Sequence, residues 1–374
     1  MVSSEFLLLG GGVVGLSIAW ELAQRGGDVV VVEREGVQGG ASWAGGGMLP
    51  PASFDTALHP VERLRGLANE LHPVWAEQLR ESTGIDTGYR RCGAIHVART
   101  AGEAASLAGA GPMYDEEGIE WHRLEPDACR ELEPELQPDP PLRMAYFAPD
   151  EAQLRNPRHL NALATACKQR GVRVIRDTVR QIDVSDGGTV ATGDRASYSG
   201  KTVCITMGAW TGPLLREAGV QNGILPVRGQ MVLYHSDRIL LRRIVIEGTR
   251  YVIPRDDGHL LVGSTEEEVG FDTSTTEEAI DDLIALGESL VPALKSLRPQ
   301  RTWAGLRPAS FDGLPYMGHL PGYDHTYVAA GHFRHGLSLS PAIAVVMADA
   351  MTATSPRIDL APFAFHRAAA TRSS

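Results

Sequence analysis

Gly10, Gly12 and Gly15 stand in the spacing Gly-x-Gly-x-x-Gly, directly after the apolar run 6–9 (FLLL) and directly before a helical pattern. The chemistry this spacing serves is the binding of a pyrophosphate. Gly10 permits a tight turn, Gly12 lets backbone approach the phosphates, and Gly15 lets helix pack closely on strand. Unpaired N–H groups at the helix N-terminus then face the anion. Glu33 closes the next valine-rich run, in position to accept hydrogen bonds from ribose hydroxyls. Strand, helix and acid together read as a dinucleotide site. FAD and NAD share this fingerprint. A flavin reductase using NAD(P)H commonly needs a second such loop, and none is found in the sequence.

Other reactive residues carry less. His332 and His335 are three apart, in a Gly-bounded loop without a local third ligand, so no metal site is expected there. Cys92, Cys129, Cys167 and Cys204 are scattered, with no Cys-x-x-Cys pair, which excludes a compact zinc knuckle and a local redox disulfide. Reduced thiols in a cytosol are the expected state. Arg307 presents a planar fork of donors that holds a carboxylate at any relevant pH. By residue type alone, a salt bridge between domains suits it equally well. Tyr251 lies in a strand-like run, where a packed aromatic is ordinary. No His–Asp or paired-carboxylate signature is evident.

The elements that must position these residues follow from periodicity. Residues 6–9 read as a buried strand and 13–25 as a helix with Val14, Ile18 and Leu22 on one face. Residues 28–33 (DVVVVE) form a second strand, buried on both faces. Segment 39–51 is glycine-rich and expected to be irregular. Residues 61–83 read as a helix interrupted where His72 meets Pro73. A helix over 158–170 precedes strands over 172–190, with a turn at Asp186-Gly187-Gly188. A buried strand is expected at 201–207, and β-rich runs at 230–234, 251–254 and 259–262. Thr275-x-x-Glu278 reads as a capping box opening a helix to about Leu290. From Trp303 onward the pattern predicts loops, a strand at 326–330 and a final helix. The fold class is therefore α/β, in two domains of which the second is β-rich (α+β). Residues 1–84, 147–225 and 300–374 are expected to form the dinucleotide domain, and 85–146 and 226–299 the substrate domain.

The 374-residue chain is long enough for that division. Its net charge of −11, with no basic stripe, excludes nucleic acid and disfavours anionic membrane surfaces. The longest apolar stretch, 337–351, is broken by Ser338, Ser340, Pro341 and Asp349 and is too short and polar to span a bilayer. Residues 1–12 carry no signal-peptide pattern.

Ala41-Ser42-Trp43-Ala44-Gly45-Gly46-Gly47-Met48-Leu49 resembles the flavin-contacting loop of the D-amino-acid oxidase superfamily of FAD-dependent oxidoreductases. Within it, the run Gly46-Gly47-Met48-Leu49 is most similar to the glycine oxidase family of the thiamine pathway. Four further segments resemble that family in the same order. They are Thr206-Met207-Gly208-Ala209-Trp210, Arg250-Tyr251-Val252-Ile253-Pro254-Arg255, Trp303-Ala304-Gly305-Leu306-Arg307-Pro308 and Gly331-His332-Phe333-Arg334-His335-Gly336. The resemblance spans almost the whole chain and implies a glutathione-reductase-type FAD domain.

Residue by residue, the resemblance implies FAD contacts at Val13, Val14, Glu33, Arg34, Ala41, Ser42, Gly46, Gly47, Met48, Val179 and Gly208. It implies the same for the stretch His332, Phe333, Arg334, His335, Gly336, Leu337 and Ser338, after which a helix points its positive end at the flavin. Arg307 matches the arginine that pairs with the substrate carboxylate, Tyr251 its hydrogen-bonding neighbour, and Arg334 a second arginine at the substrate. Thr249 and Glu266 depart from the family's His and Met, and Glu266 would bring a charge near the substrate amine. The implied reaction is oxidative deamination of glycine, or of other small amines and D-amino acids. Hydride passes from Cα to flavin, water hydrolyses the imine to an oxo acid and ammonia, and oxygen yields hydrogen peroxide. The alternative is a D-amino-acid or N-methyl-amino-acid dehydrogenase that passes electrons to a quinone. Related sarcosine oxidases attach flavin through a late cysteine; none follows Cys204, so FAD is expected to be non-covalent. The resemblance also implies a homo-oligomer such as a tetramer, a cytoplasmic location, and use of the glycine imine in thiazole synthesis.

Overall fold

The computed structural model describes residues 1–36, 39–185 and 188–367. Strand β1 (Val2–Leu9), helix α1 (Val13–Gln24) and strand β2 (Val29–Glu33) form the expected βαβ unit. Val29, Val30, Val31 and Val32 are almost fully buried. Elements cover both faces of the sheet, which is why this strand is apolar without alternation.

β1 lies between two parallel neighbours, β2 and the strand Ser197–Ile205. The latter pairs in parallel with Tyr323–Ala330, and β2 with Arg173–Arg176. Antiparallel strands Val179–Ser185, Gly188–Gly193 and Tyr316–Leu320 complete eight. The parallel strands end on one side, where Gly10, Glu33, Thr206 and Gly331 follow them. Ligands of open α/β sheets bind in that position. One face is covered by α1 and the helices Pro60–Thr83, Asn156–Gln169 and Ser340–Met351, with Trp20 and Trp75 edge to face at 4.6 Å. Leu214 and Leu215 of the helix Thr211–Glu217 pack on the other.

A second eight-stranded sheet runs in the order Arg301–Ala309, Leu225–His235, His259–Gly263, Arg250–Pro254, Ile244–Glu247, Ala94–Ala98, Met144–Ala148 and His122–Leu124. Its outer face packs against the helix Glu277–Leu290 through Val232, Tyr234, Val262 and Leu286. Strand Arg301–Ala309 pairs along its whole length with Leu225–His235. Residues 301–309 therefore sit in the second sheet, not with the segment 300–374 expected to join the first, and Met144–Ala148 straddles the expected boundary at 146/147.

Four local expectations change. Segment 39–51 contains a helix, Gly40–Ala44, and a short strand, Met48–Leu49. Tertiary partners order it: Asn156 Nδ2 donates to the Ser42 carbonyl at 2.7 Å, and Trp43 packs edge-on to Trp303 at 5.6 Å. The helix Pro60–Thr83 runs unbroken through Pro73. Its buried face continues past the proline as Trp75 and Leu79, and His72 is tied to the Ser338 carbonyl at 2.9 Å. That burial outweighs one missing helix bond. Thr275 and Glu278 do not form a capping box. The helix starts at Glu277 with Thr276 at its N-cap, whose N–H donates to Gln230 Oε1 at 2.9 Å. The fully buried Gln230 takes the capping role. Trp303 onward begins not with loops but with the strand just described. Of the expected turn at Asp186-Gly187-Gly188, the first two residues lie outside the described residues.

Among the described residues, no helix is long and apolar enough to cross a membrane.

Candidate active site

The phosphate loop is built by close approach. Gly10 has φ +111°, a backbone state that L side chains rarely adopt. Thr206 braces it, donating its hydroxyl to the Gly10 carbonyl at 2.8 Å and to that of Leu9 at 3.1 Å. A Cβ on Gly15 would overlap the Gly10 carbonyl oxygen, so α1 packs on the turn only because position 15 is bare. Gly11 N–H donates to Glu33 Oε2 at 2.6 Å, and Val13 N–H donates to Ser42 Oγ at 3.0 Å. The loop thus presents backbone, with Glu33 and Ser42 at its two ends.

From this loop a cavity of about 470 Å³ extends between the carboxyl ends of the first sheet and the inner face of the second. Its wall includes Gly10, Gly12, Val13, Val14, Glu33 and Arg34, then Ala41, Ser42, Gly46, Gly47 and Met48. Val179, Gly208, Tyr251 and Arg307 also line it, with His332, Phe333, Arg334, Gly336 and Leu337. Four expected site residues are not part of the wall. Gly15 lies beneath it as a packing residue. The His335 ring faces the buried Arg65, with Nδ1 3.4 Å from Nη2, and the Ser338 carbonyl is taken by His72. Both belong to the turn leading into the helix Ser340–Met351, which packs on α1. Glu266 sits behind Arg334, with Oε2 3.2 Å from Nη2.

Arg307 rises from the strand Arg301–Ala309 over Gly229, whose missing side chain makes room for the guanidinium. Its Nη2 donates to Ser264 Oγ at 2.6 Å and its Nη1 to the Thr265 carbonyl at 3.0 Å. All its partners are neutral, and it has no acidic partner among the described residues. Burial lowers its basicity below the ordinary arginine value; neighbouring Arg334 adds to this, while Tyr251 and Glu266 oppose it. Tyr251, largely buried, directs its hydroxyl to Met231 Sδ at 3.6 Å. His332 is buried, its Nε2 has no partner among the described residues, and burial pushes it down to about 3, so it is neutral at ordinary pH. Phe333 has φ +46°, an uncommon state outside glycine, held by its N–H donating to the Pro308 carbonyl at 2.7 Å. Backbone strain of this kind clusters at ligand-holding segments.

Several residues at the site take no role from the sequence, although Thr206 and Trp210 lie in a segment that carries the resemblance. Asn156, Ser264, Thr206 and Trp210 line the cavity. Trp210 stacks under the Arg34 guanidinium at 3.5 Å. Buried Arg255 donates to the Gly46 carbonyl at 2.7 Å and to that of Leu154 at 3.1 Å. It closes the segment 250–255 that carries the family resemblance, which implies no role for it.

A cavity running from a glycine phosphate loop to a part-buried arginine fits a long dinucleotide better than a mononucleotide. Backbone at Gly10, Gly46 and Gly47 packs so closely on Thr206, Ile253 and Leu154 that a Cβ would overlap them, which lets bare main chain form the cavity wall. The chain belongs to the FAD-dependent oxidoreductase family, which matches residues 6–350, and its cofactor is FAD. A glycine oxidase of Pseudomonas aeruginosa is 34% identical over 373 residues, covering 97% of this chain and 99% of that protein. The crystal structure of glycine oxidase from Geobacillus kaustophilus superposes with a TM-score of 0.93 at 31% identity, covering 98% and 99% of the two chains. A bifunctional protein ThiO/ThiG of Synechocystis sp. is 30% identical across 93% of this chain, which corresponds to 51% of its own length.

Proposed function

We propose that this enzyme oxidises the Cα–N bond of a small amino acid, with glycine as the leading substrate and N-methylglycine or small D-amino acids beside it. One observation carries this reading: Arg307, a part-buried guanidinium on the cavity wall with only neutral partners among the described residues. A buried cation without a counter-charge is costly, and a substrate carboxylate supplies one in a planar, two-point fit. Tyr251 and Met231 line the same cavity, with the Tyr251 hydroxyl on Met231 Sδ. FAD, when bound, accepts the two electrons and the hydrogen that leave Cα. The chain's own contribution is orientation, because holding donor and acceptor in register removes much of the barrier. Gly10, Gly12, Val13, Glu33, Ser42 and Gly47 are the residues that would hold the cofactor, without a covalent bond. Similarity to glycine oxidases supports oxygen as the terminal acceptor, a homo-oligomeric cytoplasmic enzyme, and delivery of glycine imine to thiazole synthesis. The two sheets correspond in this reading to an FAD domain and a substrate domain.

The test is anaerobic. Glycine is added to the purified yellow protein, flavin absorbance is followed, and air is then admitted. Bleaching by glycine with peroxide on reoxidation supports the proposal. Bleaching without peroxide in air moves the enzyme to the quinone-linked dehydrogenases. No bleaching by any small amino acid overturns it.

A further inference from the structure

Three consecutive residues hold two cavity arginines by different means. Ser264 Oγ and the Thr265 carbonyl accept from Arg307, so its charge is left intact. The next residue, Glu266, places Oε2 3.2 Å from Arg334 Nη2 and neutralises that charge. Arg334 is anchored from the other side, where Nη1 donates to the Thr249 carbonyl at 3.2 Å. The following acid plays no part here: Glu267 is paired with Arg228 at 2.5 Å. Four guanidinium groups line the cavity; Arg34, Arg180 and Arg334 are paired with Glu35, Asp194 and Glu266, so among the described residues only Arg307 offers an uncompensated positive charge.

We infer that Glu266 is a specificity-determining residue, which restricts the site to amines bearing a single acidic group by occupying the arginine that would receive a second. This rests on the reading of Arg307 as the carboxylate anchor. A substrate with a distal carboxylate, such as iminodiacetate or D-aspartate, must either displace Glu266 from Arg334 or lie beside it unneutralised. Like charges at close range in a partly desolvated cleft reject a ligand strongly. Selectivity of this kind comes from a repulsive element and needs no contact with the preferred substrate. Among the described residues Arg334 Nε and Nη2 make no hydrogen bond, so Glu266 holds this guanidinium by charge alone and its donors stay open to a second acid once that charge is removed.

The experiment uses the FAD-loaded enzyme and two unreactive probes, propionate and succinate, titrated by calorimetry. The readout is the ratio of their dissociation constants. In Glu266→Gln, which keeps the shape and removes the charge, the ratio shifts toward succinate by about tenfold or more. In Glu266→Gln/Arg334→Ala the shift disappears. Turnover follows: kcat/KM for iminodiacetate relative to glycine rises in Glu266→Gln. An unchanged ratio in the single variant, or a shift that survives loss of Arg334, overturns the inference. Failure of the underlying reading looks different, because propionate binding would then be indifferent to Arg307→Ala.

Discussion

Arg255 Nη2 donates to the carbonyl oxygen of Gly46 at 2.7 Å, joining residues 209 apart in sequence. Gly46 has no side chain to anchor it, and a Cβ there would press on Ile253 and Tyr251. The flavin loop is thus held by its backbone, through a guanidinium whose basicity burial lowers to about 10. Arg255→Met would leave the carbonyls of Gly46 and Leu154 and the amide of Gln153 without their donor. Unpaired buried acceptors cost about 1–3 kcal/mol each, so a loss of several kcal/mol is expected. Calorimetric unfolding should show a lowered Tm together with faster FAD release. An unchanged Tm would show that the loop stands without Arg255.

Gly12 and Gly15 share a motif but answer to different constraints. A Cβ on Gly15 would overlap the Gly10 carbonyl, whereas one on Gly12 would meet only Ser42 Oγ at 3.2 Å. Gly15→Ala should therefore destabilise the folded chain. Gly12→Val should fold, and lose FAD by obstructing the pyrophosphate. Circular dichroism and bound-flavin absorbance separate the two. A fully yellow Gly12→Val protein would count against the phosphate loop.

Arg307→Ala should retain FAD and lose substrate capture. Charge-assisted, two-point hydrogen bonding implies a fall in kcat/KM of roughly 100-fold or more. Steady-state kinetics with glycine checks this, and near-normal kcat/KM would remove Arg307 from the site.

Three buried histidines and the part-buried His335 make stability depend on pH. Burial pushes His72 down to about 4 and His332 to about 3. His159 and His335 are also lowered to about 3, by burial first and by neighbouring charges second. All four are neutral in the folded chain at neutral pH and would take up protons on unfolding near the ordinary histidine value. Stability is then fully present above about pH 6.5, where the unfolded chain also stays neutral, and falls progressively toward pH 3. Tm measured from pH 8 downward should begin to drop before carboxylates titrate. A flat Tm between pH 7 and pH 5 would contradict this.

What the sequence disclosed was local. The strand, turn, helix and acid of residues 2–33 are adjacent, so their pattern is sufficient. Helix Gly40–Ala44 could not be seen because its order comes from Asn156 and Trp303, far along the chain. Strand Arg301–Ala309 was likewise hidden: it joins a sheet whose other members end some forty residues earlier, at Gly263. Arg307 and Tyr251 were visible only through family resemblance, since an arginine and a tyrosine in strands have many ordinary uses. Arg255 and Thr206 touch other parts of the protein's backbone, and such roles leave no pattern in residue type.

The central position of β1 bears on how the enzyme is made. Its partner Ser197–Ile205 and the brace Thr206 belong to the middle of the chain, the latter 196 residues beyond Gly10. The next parallel strand, Tyr323–Ala330, and the helix Ser340–Met351 that packs on α1 come near the end. A ribosome therefore releases the phosphate loop long before the elements that shape it exist. Domains assemble during synthesis only as their parts emerge. Cofactor capture must wait for nearly complete translation, and a message truncated before the codons of that last helix should yield a chain that never turns yellow.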